Sequence, residues 1–135
     1  MHDDLQEDLQ AVTRQMQIYF DGLYFSDPAK LAGVLHPDAR YVCATEDALT
    51  NLGMDEYLPI VAARQAPAAR GEPRRDSIVG IEFAGPRTAF VHAHCAVGER
   101  YFTDFLTFVK VDGAWQIISK VFHFDLEALN TNDTP

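Results

Sequence analysis

The segment Tyr101-Phe102-Thr103-Asp104-Phe105-Leu106-Thr107-Phe108-Val109-Lys110-Val111-Asp112-Gly113-Ala114-Trp115-Gln116-Ile117-Ile118-Ser119-Lys120-Val121-Phe122-His123-Phe124 decides the fold. It is rich in β-branched and aromatic residues on both sides of Asp112-Gly113. That dipeptide is a strong hairpin signal, because a two-residue type I′ turn needs positive φ at both central positions. Two more strands precede it, residues 88–97 and 78–83, separated by the turn signals Val97-Gly98-Glu99-Arg100 and Ala84-Gly85-Pro86-Arg87. The C-terminal half thus reads as an antiparallel meander of four strands.

The N-terminal half has a different period. Leu5, Leu9, Val12, Met16, Tyr19, Phe20 and Leu23 recur every three or four residues, which predicts a long amphipathic helix over 5–24. Asp27-Pro28 opens a second, short helix as N-cap and first-turn proline, and His36-Pro37 ends it. A short strand is expected at 39–43 and another near 48–52. A third helix follows Gly53, with Met54, Tyr57, Leu58 and Val61 on one face and Pro59 inside it. Residues 65–75 form a loop punctuated by Pro67, Gly71 and Pro73. With Arg64, Arg70, Arg74 and Arg75 it is the one basic island, read as a solvated loop offsetting acidic neighbours or as a mouth that steers an anion. Three helices followed by a strand meander define an α+β domain: N-terminal helices packed on a strongly curved, mostly antiparallel sheet. One domain is expected over 1–135, with 130–135 a frayed tail.

Composition narrows the function. Eleven basic residues against 20 acidic ones give a net charge of -9, which argues against a nucleic-acid binder and against an anionic membrane surface. Two cysteines, Cys43 and Cys95, are too few for a disulfide framework or a zinc knuckle. No apolar run reaches the roughly 18 residues of a membrane span, and Met1-His2-Asp3-Asp4 lacks the features of a signal peptide. These features predict a soluble, cytoplasmic protein, with no cofactor and no metal called for by a motif.

The final hairpin, Thr107 to Ile117 with its Asp-Gly turn and Trp-x-Ile, together with this order of elements, resembles the nuclear transport factor 2-like superfamily. Within it, Phe102-Thr103-Asp104-Phe105-Leu106, the close Trp115 to His123, Tyr19-Phe20-Asp21-Gly22 and Leu35-His36-Pro37 are similar to the branch of putative lumazine-binding proteins. The resemblance implies a cone, a bent sheet wrapped around the first helix with a pocket at one end, and a homodimer through the outer sheet face. It also implies a range of activities, from isomerases, cyclases and dehydratases to non-enzymatic binders.

A two-residue turn at Asp112-Gly113 places Phe102 opposite His123, Leu106 opposite Ser119 and Phe108 opposite Ile117. Asp104 and His123 then share a face with Phe102, Leu106 and Trp115, as diagonal neighbours. That pair is the best candidate for acid–base catalysis, with Tyr19 and Tyr41 as oxyanion donors. A one-residue bulge would instead bring Lys120 onto the face of Asp104 and favour a structural ion pair. His92 and His94 fall on the opposite face and suit a dimer interface better than a metal site. Cys43 and Cys95 read as buried and inert. The expected outer apolar set is Phe105, Val109, Ile118 and Phe122.

The function expected is binding of a small, largely apolar or aromatic molecule in the cone, lined by Tyr19, Phe20, Tyr41, Phe102 and Trp115. The alternatives are a cofactor-independent isomerase, cyclase or dehydratase using Asp104 and His123, and a non-enzymatic dimeric interaction subunit.

Overall fold

The computed structural model describes the backbone of residues 2–127 and the side chains of residues 4–127; the expected tail at 130–135 lies outside them. Helix α1 spans His2–Tyr24. Its stripe is buried from Val12 through Leu23, whereas Leu5 and Leu9 are exposed, so the first turns run past the core. The chain reverses into α2, Pro28–Val34, where the Asp27 carboxylate accepts from the N–H groups of Ala29 and Lys30 at 3.0 and 3.2 Å. Gly22 permits that close approach, since a Cβ there would lie 2.7 Å from a methyl carbon of the fully buried Leu31.

Strand β1, Leu35–Cys43, begins directly after α2, four residues before its expected start. It carries Pro37, and a register shift between Leu35 and Arg40 accommodates that stretch. The short β2, Thr50–Leu52, leads into α3, Met54–Ala63, whose entry is closed by Gly53 N–H donating to Glu56 Oε1 at 3.1 Å. The meander follows: β3 Ser77–Phe83, β4 Thr88–Val97, β5 Arg100–Val111 and β6 Ala114–Leu126. The six strands form one sheet in the order β2-β1-β6-β5-β4-β3. Only β1 and β6 pair in parallel, so the sheet is mixed but mostly antiparallel, as an α+β domain of this kind requires.

The two tight turns behave as their residues demand. Asp112 and Gly113 both have positive φ, +51° and +78°, and Val111 pairs with Ala114. The Gly98-Glu99 turn pairs His94 with Thr103, which sets both on the outer face.

The register between β5 and β6 departs from the expectation partway along. Phe108 faces Ile117, but Thr107 faces Ser119, leaving Ile118 as an extra residue on β6. From there every side chain of β6 changes face. Lys120, Phe122 and Phe124 are buried inside, while Val121 and His123 are exposed outside. Two phenylalanines enter the core in exchange for a valine and a histidine. Each fully buried phenylalanine contributes about 1.5–3 kcal/mol, enough to offset one lost ladder contact. The bulge also helps a 13-residue strand bend around α1. Phe122 therefore leaves the expected outer apolar set, and Phe90 and Val121 join Phe105 there as exposed apolar residues.

Candidate functional site

The bulge assembles a buried polar cluster in the core. Asp104 is fully buried on β5, and Tyr19 from α1 donates to its Oδ2 at 2.5 Å. The Cys95 thiol on β4 donates to the same oxygen at 3.5 Å. Asp104 Oδ1 is buried and has no hydrogen-bond partner among the described residues. Lys120, 4% exposed, enters from β6. Its Nζ lies 5.1–5.9 Å from the ring centres of Tyr19, Tyr41, Tyr57, Phe102 and Phe122. Five aromatic faces thus surround an ammonium that forms no ion pair with a carboxylate among the described residues.

The electrostatics of this cluster are mutual. Burial pulls the Lys120 ammonium towards losing its proton, but the negative charge of Asp104 reverses this and holds it above the ordinary lysine range. Burial, reinforced by Asp104, pushes the Tyr19 hydroxyl and the Cys95 thiol well above their ordinary values. At neutral pH the lysine is charged and the tyrosine and thiol are neutral. An amine held as ammonium is an electrophilic anchor for an oxygen, not a nucleophile.

A cavity of about 110 Å³ opens beside the cluster, lined by Tyr41, Cys43, Thr45, Glu46, Ala48, Thr50, Arg100, Phe122 and Phe124. Tyr41 joins the two, for it lines the cavity and is one of the five rings around Lys120. It stacks on Tyr57 at 4.4 Å and 25° and leans on Phe122 at 4.7 Å. Arg100 lies over the Phe124 ring at 4.3 Å. Burial raises the Tyr41 hydroxyl above its ordinary value, opposed by the positive charges of Lys120, Arg64 and Arg100. The mouth is aromatic, and its wall carries one charge of each sign, Arg100 and Glu46.

The residues expected to share one pocket are thus only partly brought together. Tyr41 lines the mouth cavity, whereas Tyr19, Phe20 and Phe102 are buried in the core. Trp115 sits towards the opposite end of β5 and β6, packed on Phe83, and its indole N–H donates to Asp8 Oδ1 at 3.0 Å. There it lines a separate groove of about 370 Å³ with Glu7, Asp8, Arg14 and Lys110. His123 does not share a face with Asp104: the bulge turns it outward opposite Thr103, with its side chain 56% exposed. Asp104 is therefore brought together with Tyr19 and Lys120, and not with His123. Lys120, the residue that a one-residue bulge is expected to bring onto the face of Asp104, is brought there by the bulge at Ile118, whereas Thr45 and Arg100 carry no expectation from sequence. The signal for the bulge was the change of parity from Trp115 and Ile117 to Phe122 and Phe124.

Of the basic island, Arg70, Arg74 and Arg75 are neutralised locally, whereas Arg64 donates to Ser26 Oγ at 3.1 Å and meets no carboxylate among the described residues. Arg70 pairs with Glu72 at 2.7 Å, Arg74 with Asp21 and Asp76 at 2.9 and 2.7 Å, and Arg75 with Glu127 at 2.7 Å. Among the described residues, no group of three histidine, cysteine or acidic side chains is placed to hold a metal. Both cysteines are free and buried. No helix among the described residues is long and apolar enough to cross a membrane.

A curved sheet wrapped around one long helix, with a site at one end, defines a nuclear transport factor 2-like protein. A protein of unknown function with that fold from Silicibacter pomeroyi superposes with a TM-score of 0.80, covering 90% of this chain and 98% of that one at 21% identity. A scytalone dehydratase, itself so described only provisionally, from Novosphingobium aromaticivorans gives 0.67 over 93% and 89% at 23% identity. At such identities these likenesses show the fold alone. Residues 7–123 match the model of the family described as "Putative lumazine-binding", and the chain belongs to that family. Among curated proteins, the aldolase FrzH of a Cladobotryum species is 50% identical over 40 residues, 28% of this chain and 32% of that protein.

The buried cluster dictates how stability responds to alkali. Cys95, Tyr19 and Lys120 all keep their protons to higher pH in the folded chain than in the unfolded one. Their contribution is complete below about pH 8.5, where an unfolded thiol begins to ionise, and is lost as pH rises beyond it. Equilibrium urea unfolding should show a midpoint that falls above about pH 8.5. In Cys95→Ala the onset should move towards about pH 10, where tyrosine and lysine take over. A midpoint that climbs through this range would contradict the assignment.

Proposed function

We propose that the protein binds a small planar aromatic or conjugated molecule at the mouth cavity, with an electron-rich oxygen of the ligand turned towards Lys120. The observation that carries this reading is the Lys120 ammonium, buried among five rings without a carboxylate partner among the described residues and connected to the cavity through Tyr41. Taking an ammonium out of water costs several kcal/mol, and a ligand oxygen offsets part of that cost. The space of about 110 Å³ is smaller than the roughly 150 Å³ of an apolar cavity that takes benzene in an unrelated protein, so one ring enters it with an edge left at the opening. A bicyclic ligand, such as the lumazine of the family's description, leaves its second ring at the entrance. The names aldolase and dehydratase among the similar proteins accord with an oxygen-bearing ligand.

Thermal unfolding with 2-naphthoate, lumazine and naphthalene tests the reading. The oxygen-bearing ligands should stabilise the protein by about 2.7 kcal/mol at 100 times their dissociation constants, and naphthalene should bind more weakly. Tyr41→Ala should lose the effect. Absence of any shift, or an equal shift in Tyr41→Ala, would contradict the reading.

We also infer that the outer sheet face meets a second copy of the chain. His92, Phe105 and Val121 stand in one row across β4, β5 and β6, with Phe90 packed on Phe105 at 5.5 Å, and these phenylalanines and Val121 are exposed in the single chain. A two-fold axis at Phe105 would set that ring against its own copy. Sedimentation should give a dimer for the wild type and a monomer for Phe105→Glu; a wild-type monomer at micromolar concentration would overturn the inference.

A further inference from the structure

His123 is outside the core cluster, yet its ring reaches the mouth cavity through another residue. Thr45, in the loop after β1, lines that cavity. Its Oγ1 is 3.0 Å from His123 Nδ1, and His123 Nε2 is 3.0 Å from Asp125 Oδ1. The three groups form a line of hydroxyl, imidazole and carboxylate running from cavity to surface. Alternation along β6 puts His123 and Asp125 on one face, and the bulge at Ile118 makes that the outer face.

The proton positions in this line follow from its partners. In the neutral imidazole, the Asp125 carboxylate, which can only accept, takes the proton of Nε2, and Nδ1 carries a lone pair. The Phe124 backbone N–H donates to Thr45 Oγ1 at 3.3 Å and occupies an oxygen lone pair. Between Thr45 and His123 the one hydrogen available is that of the hydroxyl, which therefore points at Nδ1. This is the tautomer and direction needed for a base to activate a hydroxyl, with the base oriented by a third group. The Cys43 thiol, a weak donor, gives its hydrogen to Oγ1 at 3.3 Å, so that this contact must open for the oxygen to attack. Arg100 lies in the same wall, over the Phe124 ring at 4.3 Å.

We propose that Thr45, His123 and Asp125 form a hydroxyl-activating triad that transfers small acyl groups from aryl esters bound in the mouth cavity. The proposal rests on that cavity being the ligand site. Thr45 Oγ1 attacks the ester carbonyl carbon while its proton passes to His123 Nδ1. The bond from carbon to aryl oxygen then breaks, and the leaving oxygen takes that proton. Water next attacks the acyl-threonine, giving a proton to Nδ1 that returns to Oγ1 as the acid departs. The sum is ester plus water to acid plus phenol. The side chains of His123 and Asp125, 56% and 65% exposed, leave water free to reach the base.

The test uses p-nitrophenyl acetate with the full chain. Phenolate release is followed by absorbance, and the acetyl group is located by peptide mass spectrometry after an acid quench. Acetyl should appear on Thr45. Thr45→Val and His123→Gln should each lower kcat by about a hundredfold or more, whereas Thr45→Ser should keep it within about tenfold. Asp125→Asn, which acts only through His123, should lower kcat with KM unchanged, and the unfolding midpoint of each variant is read alongside. Hydrolysis by Thr45→Val at the wild-type rate, or acetyl on Cys43 or a lysine instead, would overturn the triad. If p-nitrophenol stabilises the protein but Thr45 is never acetylated, the triad fails and the binding site stands. If p-nitrophenol does not bind, both fail.

Discussion

One extra residue in the last strand, Ile118, governs the rest of the site. Without it, Ser119, Val121 and His123 would face the core and Lys120, Phe122 and Phe124 would face outward. With it, two aromatic rings and a lysine enter, and a histidine leaves. The buried cluster, the aromatic wall of the mouth cavity and the outer row of Phe105 and Val121 all follow from that single change of phase. A bulge is a local kink, but the side-chain period of two carries its effect to the end of the strand.

The lysine it buries is the costly element of this fold. An ammonium in the interior loses several kcal/mol of hydration, and a well-packed apolar residue of similar volume often serves stability as well or better. Five aromatic rings and the negative charge of Asp104 offset part of the loss, and Tyr19 fixes the carboxylate that does so. Asp104 Oδ1, left without a hydrogen-bond partner among the described residues, marks the cluster as incompletely satisfied, for Lys120 acts on that carboxylate through its charge and not through an ion pair in contact. Buried polar groups in native proteins are generally paired, and it is on these exceptions that the proposed ligand site rests.

The architecture was legible because its signals are local. Asp112-Gly113 fixes a turn, Asp27-Pro28 caps a helix, and the three-and-four spacing from Val12 to Leu23 marks the buried face of α1. The site was less legible because it depends on phase. Counting pairs outward from the turn is correct through Phe108 and Ile117 and fails at Ser119, since nothing in a pairwise count locates a bulge. The aromatic residues do carry the information: Trp115 is odd, Phe122 and Phe124 are even, and all three are buried. The early start of β1 has a different cause: α2 ends at Val34, before the expected break at His36-Pro37, and Pro37 lies inside the strand rather than ahead of it. Thr45 had no sequence signal, because its role comes from a loop folding back against the end of β6.

The register of β5 against β6 tests the account most directly, and cross-strand proton contacts in an isotopically labelled sample measure it. The account predicts contacts between Leu106 and Lys120 and between Thr103 and His123, with Ile118 lacking a partner on β5. Contacts between Leu106 and Ser119 and between Phe102 and His123 would contradict it. They would return Lys120 to the surface and dissolve both the aromatic cage and the line from Thr45 to Asp125.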